Sequence, residues 1–205
     1  GSLNAHVRGF FKPLIEAGAE VRPYNPPAWT AGIGLFSRNH RKSLIIDEHT
    51  AFVSGLCISA AWNGKPAKGI EAWRDTGLAL QGPIVQDVLA AFEDTLISQG
   101  GTMPPLKRYE NEDAMPAGST RARVLATTPA NINTMRLDLN IIGLATQNLW
   151  IADAYFMPTR MYVQALINAA KAGVDVRILV PRTSDIKWIG TVSRTQYRSL
   201  LDAGV

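Results

Sequence analysis

From residue 123 onward the chain alternates short apolar runs with longer stretches of helical spacing. Strands are expected over 123–126, 149–154 and 174–180, with helices over 131–146 and 158–172 between them. A βαβαβ rhythm of this kind constrains the fold more than any other feature. Consecutive strands separated by a helix must run largely parallel, and a parallel sheet needs helices over its faces. The second half is therefore α/β.

The first half is less regular. Helical spacing of Val7, Phe10, Phe11, Leu14 and Ile15 predicts a helix over 7–18 that stops at Gly18, with Pro13 as a candidate for its first turn. A short strand is expected over 20–24, and then an irregular, proline-bearing segment to Arg38. Two strands, 41–46 and 51–55, flank the polar turn Asp47-Glu48-His49-Thr50, and a third is expected over 74–80. Pro83 then opens a helix that runs to about Ile97. Residues 101–120 hold Gly101, Pro104, Pro105, Pro116 and Gly118 with scattered charge, and are expected to link a first half (1–100) to a second (121–205).

A repeat relates the two halves. Phe11 through Ala19 can be laid on Tyr197 through Val205 at an offset of 186 residues (11 onto 197), with all but two pairs identical or similar. On this reading the chain starts and stops inside a domain. The segment after Gly18 should then have a counterpart after Gly204.

Composition enters mainly to exclude. Apolar residues make up 46% and charged residues 19%, which is a globular balance rather than a disordered one. A net charge of +4 is compatible with an anionic substrate but too weak to indicate nucleic acid. Cys57 is the one cysteine, so no internal disulfide or cysteine-based zinc site can form. No apolar run approaches the length of about 18 residues that a bilayer span needs.

Chemistry concentrates in Asn39-His40-Arg41-Lys42-Ser43-Leu44-Ile45-Ile46-Asp47. Strand alternation puts His40 and Lys42 on one face, about 7 Å apart. An imidazole beside an ammonium suits attack on a phosphate ester, since the cation offsets charge growing on the phosphoryl oxygens. Asp47 has the other parity and is assigned to the turn. His40 needs a carboxylate to hold its far ring nitrogen, and Asp75 in Trp73-Arg74-Asp75-Thr76 is the first candidate, with Glu71 second. Chance alone places His-x-Lys-x4-Asp in roughly one chain in a hundred of this length, so the spacing needs context.

The context resembles the phospholipase D superfamily, whose signature is His-x-Lys-x4-Asp before a glycine-bearing strand end. The apolar hairpin over 44–53, the step Ser54-Gly55-Leu56, Trp73-Arg74-Asp75-Thr76, and Gly82-Pro83 all fit that pattern. So do Ile151-Ala152-Asp153-Ala154-Tyr155-Phe156-Met157-Pro158 and Ala169-Ala170-Lys171-Ala172-Gly173-Val174 in the second half. Gly1-Ser2 resembles the end of the family's Asp-x-x-Gly-Ser segment. Within the superfamily the chain is most similar to bacterial cardiolipin synthases with two motifs.

That resemblance implies two α/β/α halves with mixed, largely parallel sheets, and phosphatidyl transfer through a phosphohistidine without metal or cofactor. His40 would be nucleophile or general acid, Lys42 would bind phosphate, Asp47 would complete the motif, and Asp75 would orient His40. Cys57 stands where the family usually has a phosphate-binding Asn, and Ser59, of the same parity, is a substitute donor. The implied substrate is an anionic phospholipid at the cytoplasmic side of a membrane, bound peripherally. The second motif is absent. As His40 lies 22 residues after Gly18, its counterpart is expected 22 after Gly204, near position 226. A homodimer pairing two copies of His40 is the alternative. A nuclease of the same superfamily and a non-catalytic lipid-binding or scaffold module are the rival functions.

Other signals are weaker. His6 and His49 have no evident partner, and Gly32-Ile33-Gly34 lacks the flanking strand and third glycine of a dinucleotide loop. Trp29 and Trp62 are candidates for an acyl or interfacial contact, against a simple capping role. Lys65, Lys68, Lys107 and Arg108 are solvated charge, with docking on anionic lipid as the alternative. Tyr155 and Phe156 close a strand, where α/β folds place clefts. A second half without its own hairpin should expose sheet edges and self-associate.

Overall fold

A computed structural model describes residues 8–26, 38–103, 118–128, 131–182, 184, 186 and 188–205. His6, Val7, Trp29, Gly32, Gly34, Lys107, Arg108 and most of the expected linker lie outside the described residues. The chain divides into two compact units, Gly1–Val124 and Leu125–Val205. It is a mixed α/β protein, with one antiparallel and one parallel sheet among the described residues.

The first unit is built on a hairpin. Strands β1 (Ser43–Ile46) and β2 (Thr50–Ser54) pair antiparallel with Ile45 opposite Ala51, and β3 (Gly77–Gln81) adds to β2 with Leu80 opposite Ala51. Asp47 and Glu48 turn the chain at φ 52° and 58°, and the His49 amide donates to the Ile46 carbonyl at 3.1 Å. Left-handed backbone at two successive positions matches the twist that a hairpin needs. Pro83 then fixes φ at −55° ahead of helix α2 (Ile84–Ser98), after the short α1 (Lys12–Glu16) earlier in the chain. Val85, Val88 and Leu89 recur at helical spacing and are buried; Val85 and Val88 close over Ala51, Ile45 and Leu80, with Val124 beside them.

The second unit carries β4 (Asn148–Ala152) and β5 (Asp175–Leu179), paired parallel with Leu149 opposite Val176 and Ile151 opposite Ile178. Helix α4 (Arg160–Lys171) connects them, between α3 (Asn133–Leu144) and α5 (Ile189–Leu201). Leu166, Ala169, Val174, Val176, Ile142, Phe156 and Leu200 form the core. The Tyr162 hydroxyl donates to Asp138 Oδ2 at 2.8 Å, joining α4 to α3. Burial, then this hydrogen bond to the carboxylate, pushes the phenol up to about 12.

Several expected boundaries are corrected. The first helix is only Lys12–Glu16, because Pro13 lacks an N–H and Gly9, at φ 68°, breaks the turn before it. Residues 20–24 find no ladder partner among the described residues; Arg22 instead pairs with Glu20 at 2.6 Å. Residues 123–126 lie outside any sheet among the described residues, so the second unit reads αβαβα there. The third strand starts at Gly77 rather than at residue 74, which leaves Asp75 beyond the ladder. Helix α5 is not evident in the sequence, where its inward face mixes Ile189 and Leu200 with Ser193.

The repeated segments do share a backbone. Gly18 and Gly204 both adopt φ 91°, and in each case the next amide reaches back five residues, Ala19 to Leu14 at 2.9 Å and Val205 to Leu200 at 3.0 Å. The same stop ends α4, where Gly173 has φ 92° and Val174 donates to Ala169 at 3.1 Å. It is a general way of ending a helix with glycine, so this geometry alone does not relate the halves.

Candidate active site

His40, Lys42 and Asp75 lie toward the open end of the hairpin, away from its turn. The ladder reaches Lys42, whose carbonyl accepts from the Ser54 amide at 3.2 Å. Asn39 Oδ1 accepts from the Arg41 amide at 2.9 Å, holding the backbone that presents His40. Alternation then sends Arg41 to the helix-covered face, where its Nη1 donates to the Ala91 carbonyl at 3.0 Å and to Thr95 Oγ1 at 2.9 Å on α2. His40 and Lys42 take the other parity. The Lys42 ammonium folds back to donate to the His40 carbonyl at 2.7 Å.

Asp75 reaches this end of the sheet from the approach to β3. Its Oδ1 accepts from the Thr76 amide at 2.7 Å. The carboxylate lies flat against Gly55: a Cβ there would sit 2.5 Å from Oδ2 and 2.7 Å from Oδ1. The glycine at the exit of β2 thus makes room for the carboxylate that the sequence pairs with His40. Among the described residues no hydrogen bond joins the His40 ring to Asp75 or to Glu71, and all three side chains are exposed.

Asp47 is not part of this cluster, since the whole of β1 separates it from His40. Cys57 and Ser59 lie past the end of β2, so strand parity does not apply to them. Cys57 is half-buried, with Sγ 3.8 Å from the Gly55 carbonyl. The Ser59 hydroxyl accepts from the Ala61 amide at 3.4 Å and caps the short turn Ala60–Trp62. Trp62 packs edge-on against Trp73 at 5.1 Å between ring centroids, so it caps the loop next to the site. Gly64 turns that loop at φ 63°, where a Cβ would lie 2.6 Å from the Ala72 amide nitrogen. Lys65 and Lys68 are exposed. The Arg41 anchor escapes sequence reasoning because its partners lie fifty residues away. Among the described residues no three His, Cys, Asp or Glu side chains assemble as a metal set.

Comparison with known proteins bears on this arrangement. The family described as "Cardiolipin synthase, PLD-like domain" matches residues 139–205. A cardiolipin synthase of Alkalihalophilus pseudofirmus is 33% identical over 97% of this chain and 40% of its own length. Cardiolipin synthase 2 of Bacillus anthracis is 34% identical over 97% of this chain and 39% of its own. A cardiolipin synthase of Clostridium perfringens is 33% identical over 82% and 37%. No solved structure matches. Residues 139–205 therefore carry a PLD-like domain. The curated relatives the chain matches are cardiolipin synthases, and it spans about 40% of their length.

Proposed function

We propose that the protein containing this chain is a phosphatidyltransferase that makes cardiolipin or a close analogue from anionic phospholipid. The observation that carries this reading is that Lys42 reaches the His40 carbonyl while the Asp75 carboxylate is seated on Gly55, toward the same end of the hairpin sheet.

In the proposed reaction a ring nitrogen of His40 attacks the phosphorus of the donor lipid. The N–P bond forms as the P–O bond to the leaving head-group alcohol breaks, and the leaving oxygen takes a proton from a general acid. An acceptor alcohol then attacks the phosphohistidine, gives up its proton, and releases His40. Lys42 offsets the charge on the phosphoryl oxygens, and Asp75 sets the ring orientation. Cys57 and Ser59 are secondary phosphate contacts, and Asp47 fixes the hairpin turn. The general acid is a second histidine, supplied by a matching motif beyond residue 205 of a longer chain or by a second copy. No helix of the described residues is long and apolar enough to cross a membrane, and this part of the protein is assigned to the cytoplasmic membrane surface, where its substrate lies.

The test uses the longest native form of the protein with short-chain phosphatidylglycerol. An acid-labile, base-stable phosphoprotein should form and should vanish in His40→Asn, with turnover falling about a thousandfold or more. Lys42→Ala should lose about a hundredfold. Unchanged lipid turnover in His40→Asn would overturn the proposal, and salt-sensitive DNA cleavage in its place would favour a nuclease.

A further inference from the structure

The second unit holds a cleft that the proposed chemistry does not use. It opens beyond the carboxyl ends of β4 and β5, between Phe156, Arg182 and the first turns of α5, and encloses about 250 Å³. Ligands of α/β folds collect at this end of parallel strands. Arg182 comes after β5 and Arg194 stands on α5, and none of the described lining residues is acidic.

Three further features give the cleft its polarity. Ser193 lines it and is only 2% exposed, so a hydroxyl that can donate to a ligand oxygen is part of its wall. Helix α5 begins at the same wall with no side-chain cap and no acidic residue in its first turn, so its positive end is uncompensated. Phe156 and Tyr197, 6.4 Å apart between centroids, supply an apolar floor.

We propose that this cleft binds a phosphate ester, with the phosphate between Arg182 and Arg194, the Ser193 hydroxyl donating to it, and the esterified alcohol carbons over Phe156 and Tyr197. The volume falls below the roughly 300–1,000 Å³ of pockets that enclose drug-sized ligands, which fits a head group and excludes acyl chains. Its identification as a lipid phosphate, distinct from the one attacked by His40, rests on the proposed function; the binding of a phosphate group does not.

The experiment titrates the whole chain with inorganic phosphate and with glycerol 1-phosphate, monitoring amide signals of Gly190 and Ser193 by NMR. Both ligands should shift these signals saturably. Arg194→Gln and Ser193→Ala should each weaken binding about tenfold. Gly190→Leu is the steric control: an added Cβ meets nothing within 4 Å, the helix gains propensity, and the cleft is filled. It should abolish the shifts while the thermal melt is no lower than in wild type. Equal binding by wild type, Arg194→Gln and Gly190→Leu would overturn the proposal. Vesicles of phosphatidylglycerol against phosphatidylcholine separate the sources. Selective flotation with phosphatidylglycerol, lost in Arg194→Gln, assigns a lipid head group, whereas flotation indifferent to the variant assigns a free phosphate ester. His40→Asn should bind as wild type, so a failure of the catalytic proposal and a failure of this one are read separately.

Discussion

The sheet of the first unit and the sheet of the second each bury one face, but their other faces differ. On β4 and β5 the outer face carries Trp150 and Arg177 opposite each other beside Asp175. The indole donates to Asp175 at 3.2 Å, Arg177 bonds the same carboxylate at 2.9 and 3.0 Å, and the guanidinium lies 5.5 Å over the indole ring. That face supplies its own polar partners. On β1 and β2 the outer face carries Leu44, Ile46 and Phe52, 59%, 44% and 43% exposed, with Thr50 opposite Ile46. By strand parity it is the face of His40 and Lys42. The proposed lipid chemistry has a use for apolar surface beside His40 and Lys42, and this surface is the more informative of the two.

The largest effects should come from breaking the closed side. Leu166 is 0% exposed at the centre of the second core. Leu166→Ala should cost about 3 kcal/mol in a denaturant titration, while Phe52→Thr on the uncovered face should change stability by about 0.5 kcal/mol or less. Phe52→Thr should nonetheless lower binding of an apolar dye, since the patch shrinks. A Phe52→Thr as damaging as Leu166→Ala would mean that the face is covered in solution.

The same contrast explains which features are legible in the amino-acid sequence. Two apolar runs, 44–46 and 51–53, around a polar turn identify the hairpin, and α4 with its flanking strands is apparent from helical spacing and Gly173. Residues 20–24 and 123–126 have strand-like composition but no neighbour to pair with among the described residues, a tertiary fact that no local pattern contains. His40, Lys42 and Asp75 are legible as residue types suited to phosphoryl chemistry. Gly55 as the seat of Asp75, the Arg41 anchor on Thr95 and the Ser193 cleft are not, because each joins segments that only folding brings together.

A smaller effect is expected at the hairpin turn. Glu48 holds φ 58° without being glycine, and its Oε2 is buried without a partner among the described residues. Glu48→Gly removes both penalties and should stabilise the chain by about 1 kcal/mol, raising the melting temperature. A fall would show that its side chain anchors the turn. In the second unit, the Tyr162 phenol is raised from 10.0 to about 12 by burial and Asp138, so the folded state holds that proton more tightly. Its contribution is fully present below pH 10 and fades as pH rises through 12. Tyr162→Phe should lose about 1 kcal/mol at neutral pH and converge with wild type in strong alkali.

The least disruptive test addresses the polar face itself. Arg177 holds the Asp175 carboxyl below its ordinary value through their hydrogen bonds, and the Trp150 indole adds to this. A carboxylate with a depressed folded-state pKa stabilises above its unfolded value and loses that contribution as pH falls through the folded one. On an exposed pair solvent screens the effect, so its signature is a titration rather than a change in melting. The Trp150 indole proton signal should move only at a pH below the usual aspartate range, and Arg177→Gln should bring that midpoint up. High salt should do the same in wild type, since the pair is solvent-facing. A midpoint indifferent to both would mean that the indole and backbone, rather than the guanidinium, hold the carboxylate. The face would then resemble the uncovered surface of the first unit in needing a partner to complete it.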